Sequence, residues 1–378
     1  MDKYLLDLPM EDGRKFHFRS EPLKGIYDEL EEFLECTEGM DDLHFAKKML
    51  FSHELKANNQ VEGYSDDLEL IEDIIKKKTD NIQDENKRAR ILNLYRGYQF
   101  ILRNKVMDDK HLKKLYGILS EGLLCERNLE QMGKKYREAS VSLLKSGRIV
   151  SNPEVGVDYL EIDNLIAKYF EFINNFSLGD TKTLEYIKSQ IMHFYFVYIH
   201  PYFDVNGRTS RTMSLWYLLK KKDYPYIIFN RGITFAGANY DNIIRGTKYY
   251  GDMTLFLKLM LETVKVELEK EKVMQEYATA THYKFSGIDY QTILYLLTMG
   301  QEFSLINFAL MYNKYNDKRS AVLIYKEMLE PLIDAGILQV TRYTKKRIGD
   351  VNNMEFVLNK DIIPSEEEMH LKRIKRLN

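Results

Sequence analysis

The chain has 378 residues, 44% hydrophobic and 30% charged, the composition of a protein with a real apolar core and not of a disordered or fibrous chain. Lys and Arg total 55 against 57 for Asp and Glu, a net charge of -2, which excludes nucleic-acid binding through overall charge but not through a local basic patch. Two cysteines, Cys36 and Cys125, exclude a disulfide framework and predict a reducing, cytoplasmic setting. The first residues hold no basic segment followed by an apolar run, and no window approaches the roughly eighteen apolar residues of a membrane span, so neither a secretory signal nor membrane association is expected.

Residues 1–40 read as an arm with mixed signals: GIYDELEEFLE (25–35) has helical spacing, and CTEGMDD (36–42) breaks it. HFAKKMLFSHELKANNQV (44–61) is helical, with Phe45, Met49 and Leu50 on one stripe. Further helices are predicted over 66–78, 84–104 and 109–122. ASVSLLKSGRIV (139–150) is different. Val141 and Leu143 alternate with Ser140 and Ser142 ahead of a Lys-Ser-Gly turn, the pattern of a short β-hairpin. Helices resume at 157–175 and 181–199. A loop from His200 to Asn206 leads into a helix from Gly207 to Lys221, with more helix at 236–247 and 252–275. Residues 276–286 read as a linker. From Asp289 the pattern is three helices, then the strands ILQVTRY (337–343) and MEFVL (354–358), a winged-helix-like order. The expected fold is mostly α, a helical bundle with a small hairpin and a C-terminal winged-helix module. Its expected divisions are 1–65, 66–275 and 276–378.

Chemistry concentrates in His200-Pro-Tyr-Phe-Asp204-Val-Asn206-Gly207-Arg208-Thr-Ser-Arg211. Gly207 and the N–H groups that follow open a helix, and helix N-termini favour anions. Arg208 and Arg211 lie three apart on one face, where both can fork onto phosphate oxygens. Asp204 is a hard-oxygen ligand suited to Mg²⁺, and His200 is a candidate general base. Base, metal ligand and phosphate clamp together point to nucleotidyl or phosphoryl transfer. Taken singly, the same residues also fit a packing histidine, a solvated arginine face and an Asx turn.

This stretch closely resembles the Fic signature, His-x-Phe-x-(Asp/Glu)-Gly-Asn-Gly-Arg-x-x-Arg. HFYFVYI before it, WYLLKKKDYP after it, Asn239-Tyr240 and Gly251-Asp-Met-Thr254 agree with the family, over roughly residues 45–275. The resemblance implies a protein adenylyltransferase that moves AMP from ATP to a hydroxyl of a target protein and releases pyrophosphate. It implies His200 as the base, Asp204 on Mg²⁺, Asn206, Gly207 and Arg208 at the α- and β-phosphates, Arg211 at the γ-phosphate, and Tyr240 and Thr247 at adenine. Gly207 stands where the related Doc kinases carry lysine, which favours AMP transfer. Two residues depart from the pattern. Tyr202 replaces the usual Phe, and Val205 replaces the Gly before Asn206, a β-branched residue that is costly at positive φ.

Asn58-Asn-Gln-Val-Glu62-Gly63 resembles the family's inhibitory motif, (Ser/Thr)-x-x-x-Glu-(Gly/Asn), with Asn58 at the Ser/Thr position. Glu62 would then pair with Arg211 and take the place of the γ-phosphate. A plain helix end with Gly63 as its cap is the alternative. The hairpin at 139–150 stands where the family has its flap, whose open edge would take a target's backbone as an added strand. Self-modification is implied as well. In the tail, Lys318, Arg319, Lys345, Lys346 and Arg347 cluster around the third helix and the wing, a surface for DNA phosphates or for packing. Two other readings of the pocket stand beside transfer: a de-AMPylating hydrolase in which Glu62 orients water, and a non-catalytic nucleotide sensor weakened by Val205.

Overall fold

The computed structural model describes residues 3–36, 44–75, 84–141, 143–145, 148–150, 155–221, 230–268, 302–315, 318–343 and 354–359. The chain divides into two compact units, Met1–Glu267 and Leu268–Arg376.

The first unit opens with antiparallel strands β1 (Lys3–Pro9) and β2 (Lys15–Arg19), followed by helix α1 (Lys24–Cys36). The sequence reading leaves this hairpin unassigned, because its alternation is short and broken by a register shift between Leu5 and Pro9. The structure packs it into the unit instead of leaving it as an arm. Tyr195 donates to the Pro9 carbonyl (2.9 Å), the Tyr198 hydroxyl accepts from the Glu11 N–H (2.9 Å), and the Met253 N–H donates to the His17 carbonyl (2.8 Å).

Helices α2 (His44–Val61), α3 (Leu68–Ile75), α4 (Glu85–Arg103), α5 (Asp109–Ser120) and α6 (Glu126–Glu130) follow. Asp84 and Asp108 cap α4 and α5 through their side chains, as their position ahead of a helical run predicts. The predicted hairpin forms as β3 (Leu143–Lys145) and β4 (Arg148–Val150), paired antiparallel in the register Leu143↔Val150.

Next come α7 (Ile162–Asn175), α8 (Lys182–Ile199), α9 (Asn206–Leu219), α10 (Asn230–Ala236), α11 (Ala238–Tyr250) and α12, the helical residues 254–268. Almost every residue of α8 from Thr183 to Ile199 is buried, the mark of a helix enclosed on all sides. Its first turn is capped twice. Thr181 accepts from the Leu184 N–H, and the Glu31 carboxylate on α1 accepts from the N–H groups of Lys182 (3.2 Å) and Thr183 (2.8 Å). Helix α9 packs along α8 and is buried nearly as fully. The two central helices meet at the loop 200–205, so the fold places that loop at the junction of its most rigid elements.

In the second unit, strand β5 (Glu302–Ser304) precedes α13 (Leu305–Tyr315). Helix α14 (Ala321–Ile324) continues through a π-turn over Tyr325–Leu329 into α15 (Glu330–Asp334), and strands β6 (Leu338–Tyr343) and β7 (Met354–Leu358) follow. The three strands form one sheet in the order β5-β7-β6. The two longer strands match their predicted positions, and β5 is an addition. The expected linker at 276–286 and the first expected helix, from Asp289, lie outside the described residues. Among the described residues no helix is long and apolar enough to cross a membrane.

Candidate active site

Helix α8 ends at His200, whose backbone turns left-handed (φ 51, ψ 59) while its N–H still donates to the Phe196 carbonyl (2.9 Å). The loop beyond is closed by Asn206. Its Oδ1 accepts from the Tyr202 N–H (3.0 Å), and its Nδ2 donates to the Tyr202 carbonyl (2.7 Å). Asn206, expected at the phosphates, thus spends its side chain on its own loop, and what it adds to the helix end is its backbone N–H.

Val205, just before α9, is left-handed (φ 66, ψ 9) and buried. A valine has no side-chain oxygen, and no side chain caps this helix. The first helical bond runs from the Thr209 N–H to the Val205 carbonyl (2.9 Å). The N–H groups of Asn206, Gly207 and Arg208 therefore lie ahead of the intrahelical ladder, in the position that receives anions.

Two buried arginines flank this end. Arg208 approaches Asp204 at 3.9 Å, and its Nε is buried with no partner among the described residues. Arg211 holds three acceptors: Nε donates to Asn58 Oδ1 (2.8 Å), and Nη2 donates to the Asn58 carbonyl (3.2 Å) and to Glu62 Oε1 (2.6 Å). Asn58 lies on α2, four residues before Glu62, and its Nδ2 donates to Tyr98 on α4 (2.9 Å). Glu62 follows the last residue of α2, and Gly63 ends the helix at φ +84, so the helix-end reading and the arginine-pairing reading are both realised. Burial alone would raise the Glu62 carboxyl, but the Arg211 guanidinium, with Arg208 behind it, holds it below the usual carboxylate range. Gly207 makes the approach possible, since a Cβ there would collide with the Glu62 carboxylate and stand 3.0 Å from Arg211 Nη1.

His200 is half-buried. Burial first, then the positive charges of Lys248 and Arg137, push its imidazole down to about 3, so it is the neutral base at physiological pH. Its Nδ1 is the buried ring nitrogen, which leaves Nε2 to take a proton. Asp204 is exposed at the mouth of the loop.

Residues 107–218 match the family model described as Fic/DOC family. Among solved structures, a Fic family protein from Desulfovibrio desulfuricans G20 is similar at a TM-score of 0.55 and 15% identity, covering 90% of this chain and 97% of that one. Residues 107–218 thus form a Fic/DOC domain. Fic-1 from C. elegans aligns at 13% identity and a TM-score of 0.48, covering 70% of this chain and 73% of that one. A Fic domain containing signaling protein from Bacteroides thetaiotaomicron VPI-5482 aligns at 14% identity and a TM-score of 0.47, covering 66% and 97%. No curated protein matches the sequence.

Glu62, from outside the matched segment, is drawn together with Gly207, Arg208 and Arg211 at the start of α9. Tyr240, expected at adenine, joins them from α11. Its hydroxyl meets His193 Nε2 (2.9 Å) in the interior, close to Arg211, and burial raises its phenol well above the ordinary range. Thr247 lies two turns further along α11, buried, and no described contact joins its side chain to the group. His193 and Arg137 escape sequence reasoning. His193 is hidden in the apolar run of α8, and Arg137 sits in GKKYREAS with no periodic pattern to mark it. Asp204 gathers no cluster of three His, Cys, Asp or Glu ligands among the described residues. One exposed carboxylate near a helix N-terminus is a donor that would fit a hard cation taking most of its ligands from outside the protein, as Mg²⁺ does.

Proposed function

We propose that this protein transfers AMP from ATP to a protein hydroxyl, and that Glu62 holds the activity in check. The Arg211–Glu62 ion pair at the uncapped start of α9 carries this reading. It marks the place where a carboxylate stands in for an anion, and Gly207 provides the room. ATP would lay its phosphates along the N–H groups of Asn206, Gly207 and Arg208, with the free Arg208 Nε and the Arg211 fork as counter-charges. Asp204 would hold Mg²⁺, which supplies charge neutralisation between the phosphates when bound. His200 Nε2 would accept the proton of the target hydroxyl as the oxygen attacks the α-phosphorus, and pyrophosphate would leave in line. The β3–β4 hairpin follows the Arg137 segment in the chain and offers strand edges to a target backbone.

Two cysteines, too few for a disulfide framework, and ATP as the donor suit a cytoplasmic protein. For the second unit we propose a winged-helix module. Arg319, expected among its DNA-facing cations, donates to Glu327 (2.7 Å), which reduces its value to a phosphate. Lys345, Lys346 and Arg347 lie outside the described residues.

The experiment is mass spectrometry of the purified protein after incubation with Mg²⁺ and each of ATP, GTP, CTP and UTP. Addition of AMP with ATP alone supports the proposal. Addition of a bare phosphate would make the enzyme a kinase, and loss of AMP from a pre-modified sample without any gain would make it the hydrolase.

A further inference from the structure

Arg137 is one of the largest fully buried side chains, 2% exposed; among the described residues no carboxylate reaches ion-pair distance, and Asp158 and Glu11 act on it only electrostatically. A buried guanidinium is expensive unless its donors find acceptors, and Arg137 finds them in backbone carbonyls from three segments. Nε donates to the His200 carbonyl (2.8 Å), Nη1 to the Ala139 carbonyl (2.8 Å) and Nη2 to the Val157 carbonyl. Its own N–H donates to the Pro201 carbonyl (3.0 Å). Ala139 lies just before the β3–β4 hairpin and Val157 just after it, while His200 and Pro201 begin the loop between α8 and α9. The Val157 N–H in turn donates to the Ile199 carbonyl (3.3 Å).

Gly156 completes the joint. At φ +84, a Cβ there would stand 2.6 Å from His200 Cβ, 3.0 Å from Arg137 Nη2 and 3.2 Å from the Ile199 carbonyl. Only glycine lets the segment after the hairpin press against the histidine.

We propose that Arg137 is the positioning residue of His200: its fork fixes the His200 carbonyl, and with it the left-handed backbone that aims the imidazole, against both roots of the hairpin. The proposal deepens the transfer reading above and rests on it for its kinetic consequence. A histidine at φ 51 is in a sparsely populated conformation that persists only where the surroundings over-determine it. Two bonds from one arginine to two successive carbonyls, of His200 and Pro201, are that over-determination. Because the same guanidinium ties both ends of the hairpin, the base and the strand edges are held in one frame. Lysine would keep the charge, but its three donors sit on one nitrogen and not on a rigid fork, so it cannot span carbonyls of three segments.

The test uses the full chain with Glu62→Gly as the parent, and compares Arg137→Lys and Gly156→Ala with it. Three quantities are read per folded molecule: kcat and KM for self-modification, ATP affinity by calorimetry, and the His200 ring resonances by NMR. The expectation is a kcat lower by about 10²-fold, since misplacement of a reacting group by about 1 Å costs that much. KM and ATP affinity should stay within about twofold, and the His200 signal should broaden or split in both variants. A merely structural role would lower the melting temperature and leave kcat per folded molecule and the His200 resonance unchanged, which would overturn the proposal. Gly156→Ala disturbs the joint without removing the guanidinium, so a misfolded Arg137→Lys still leaves a decisive variant. If the parent itself transfers nothing, the transfer reading fails, while an unchanged or altered His200 signal still decides the role of Arg137.

Discussion

Replacing Val205 with glycine separates what this residue costs from what it contributes. At φ 66 its backbone sits where an L-residue loses about 1–2 kcal/mol, and glycine removes that cost. Against this, the side chain is only 1% exposed, and withdrawing it from the core loses about 1.5–3 kcal/mol. Glycine also gains freedom in the unfolded chain, worth about 0.5–1 kcal/mol more. The balance is a protein less stable by about 1–2 kcal/mol, with strain relief recovering part of the lost burial. Activity should move differently. The N–H groups that follow Val205 are those proposed to receive phosphate, and a freer backbone before them leaves transfer unchanged or raises it. The assays are a denaturant titration of wild type and Val205→Gly, and self-modification of both in the Glu62→Gly parent. A glycine variant more stable than wild type would show that the valine packs nothing. One that stays folded and binds ATP but loses transfer would show that Val205 is a tuned part of the site.

His200→Ala should lower transfer by about 10²–10⁴-fold, the usual contribution of a general base, while calorimetric ATP affinity stays close to wild type; unchanged transfer would remove His200 from the mechanism. Tyr202 is fully buried and stacks on Tyr116, and its hydroxyl has no partner among the described residues. Tyr202→Phe should therefore raise stability by about 1 kcal/mol or more, and a lower denaturation midpoint would reveal a satisfied hydroxyl. Burial pushes both His193 and His200 down to about 3 from an ordinary 6.5. Their neutral forms thus contribute stability that is complete above pH 6.5 and drains away as pH falls toward 3. Unfolding at pH 5 should show a component of proton uptake that shrinks in His193→Gln; an uptake that the substitution leaves unaltered would contradict the assignment.

The loop at 200–211 is readable because its residues are contiguous, and contiguity fixes spacing without any knowledge of packing. Helices α4, α5 and α8 are equally legible, since the caps Asp84, Asp108 and Thr181 precede strong helical runs. The approach of Glu62 to Arg211, across 149 positions, came only from the likeness to a motif, since nothing in the local pattern links them. Val205 at positive φ follows from the family's glycine at that place, and the structure finds it there. What stayed hidden has a common cause. The N-terminal hairpin is held by Tyr195, Tyr198 and Met253, far away in sequence. Arg137 acts through carbonyls, which carry no residue identity. The side chains of Asn206 and Tyr240 hydrogen-bond to Tyr202 and His193, partners that only packing decides.

The most direct test of the account is intact-mass analysis of wild type, Glu62→Gly and Glu62→Gly/His200→Ala, incubated side by side with Mg²⁺ and labelled ATP. Arg211 can serve one anion well, the Glu62 carboxylate or the γ-phosphate, and while it holds the carboxylate the triphosphate is displaced from the line of attack. Removing the carboxylate should speed AMP addition by about 10²-fold, equivalent to about 2.7 kcal/mol favouring the inhibited state. The double variant should add none. Equal rates for wild type and Glu62→Gly, with both folded and binding ATP, would reduce Glu62 to a helix end and contradict the autoinhibited transferase.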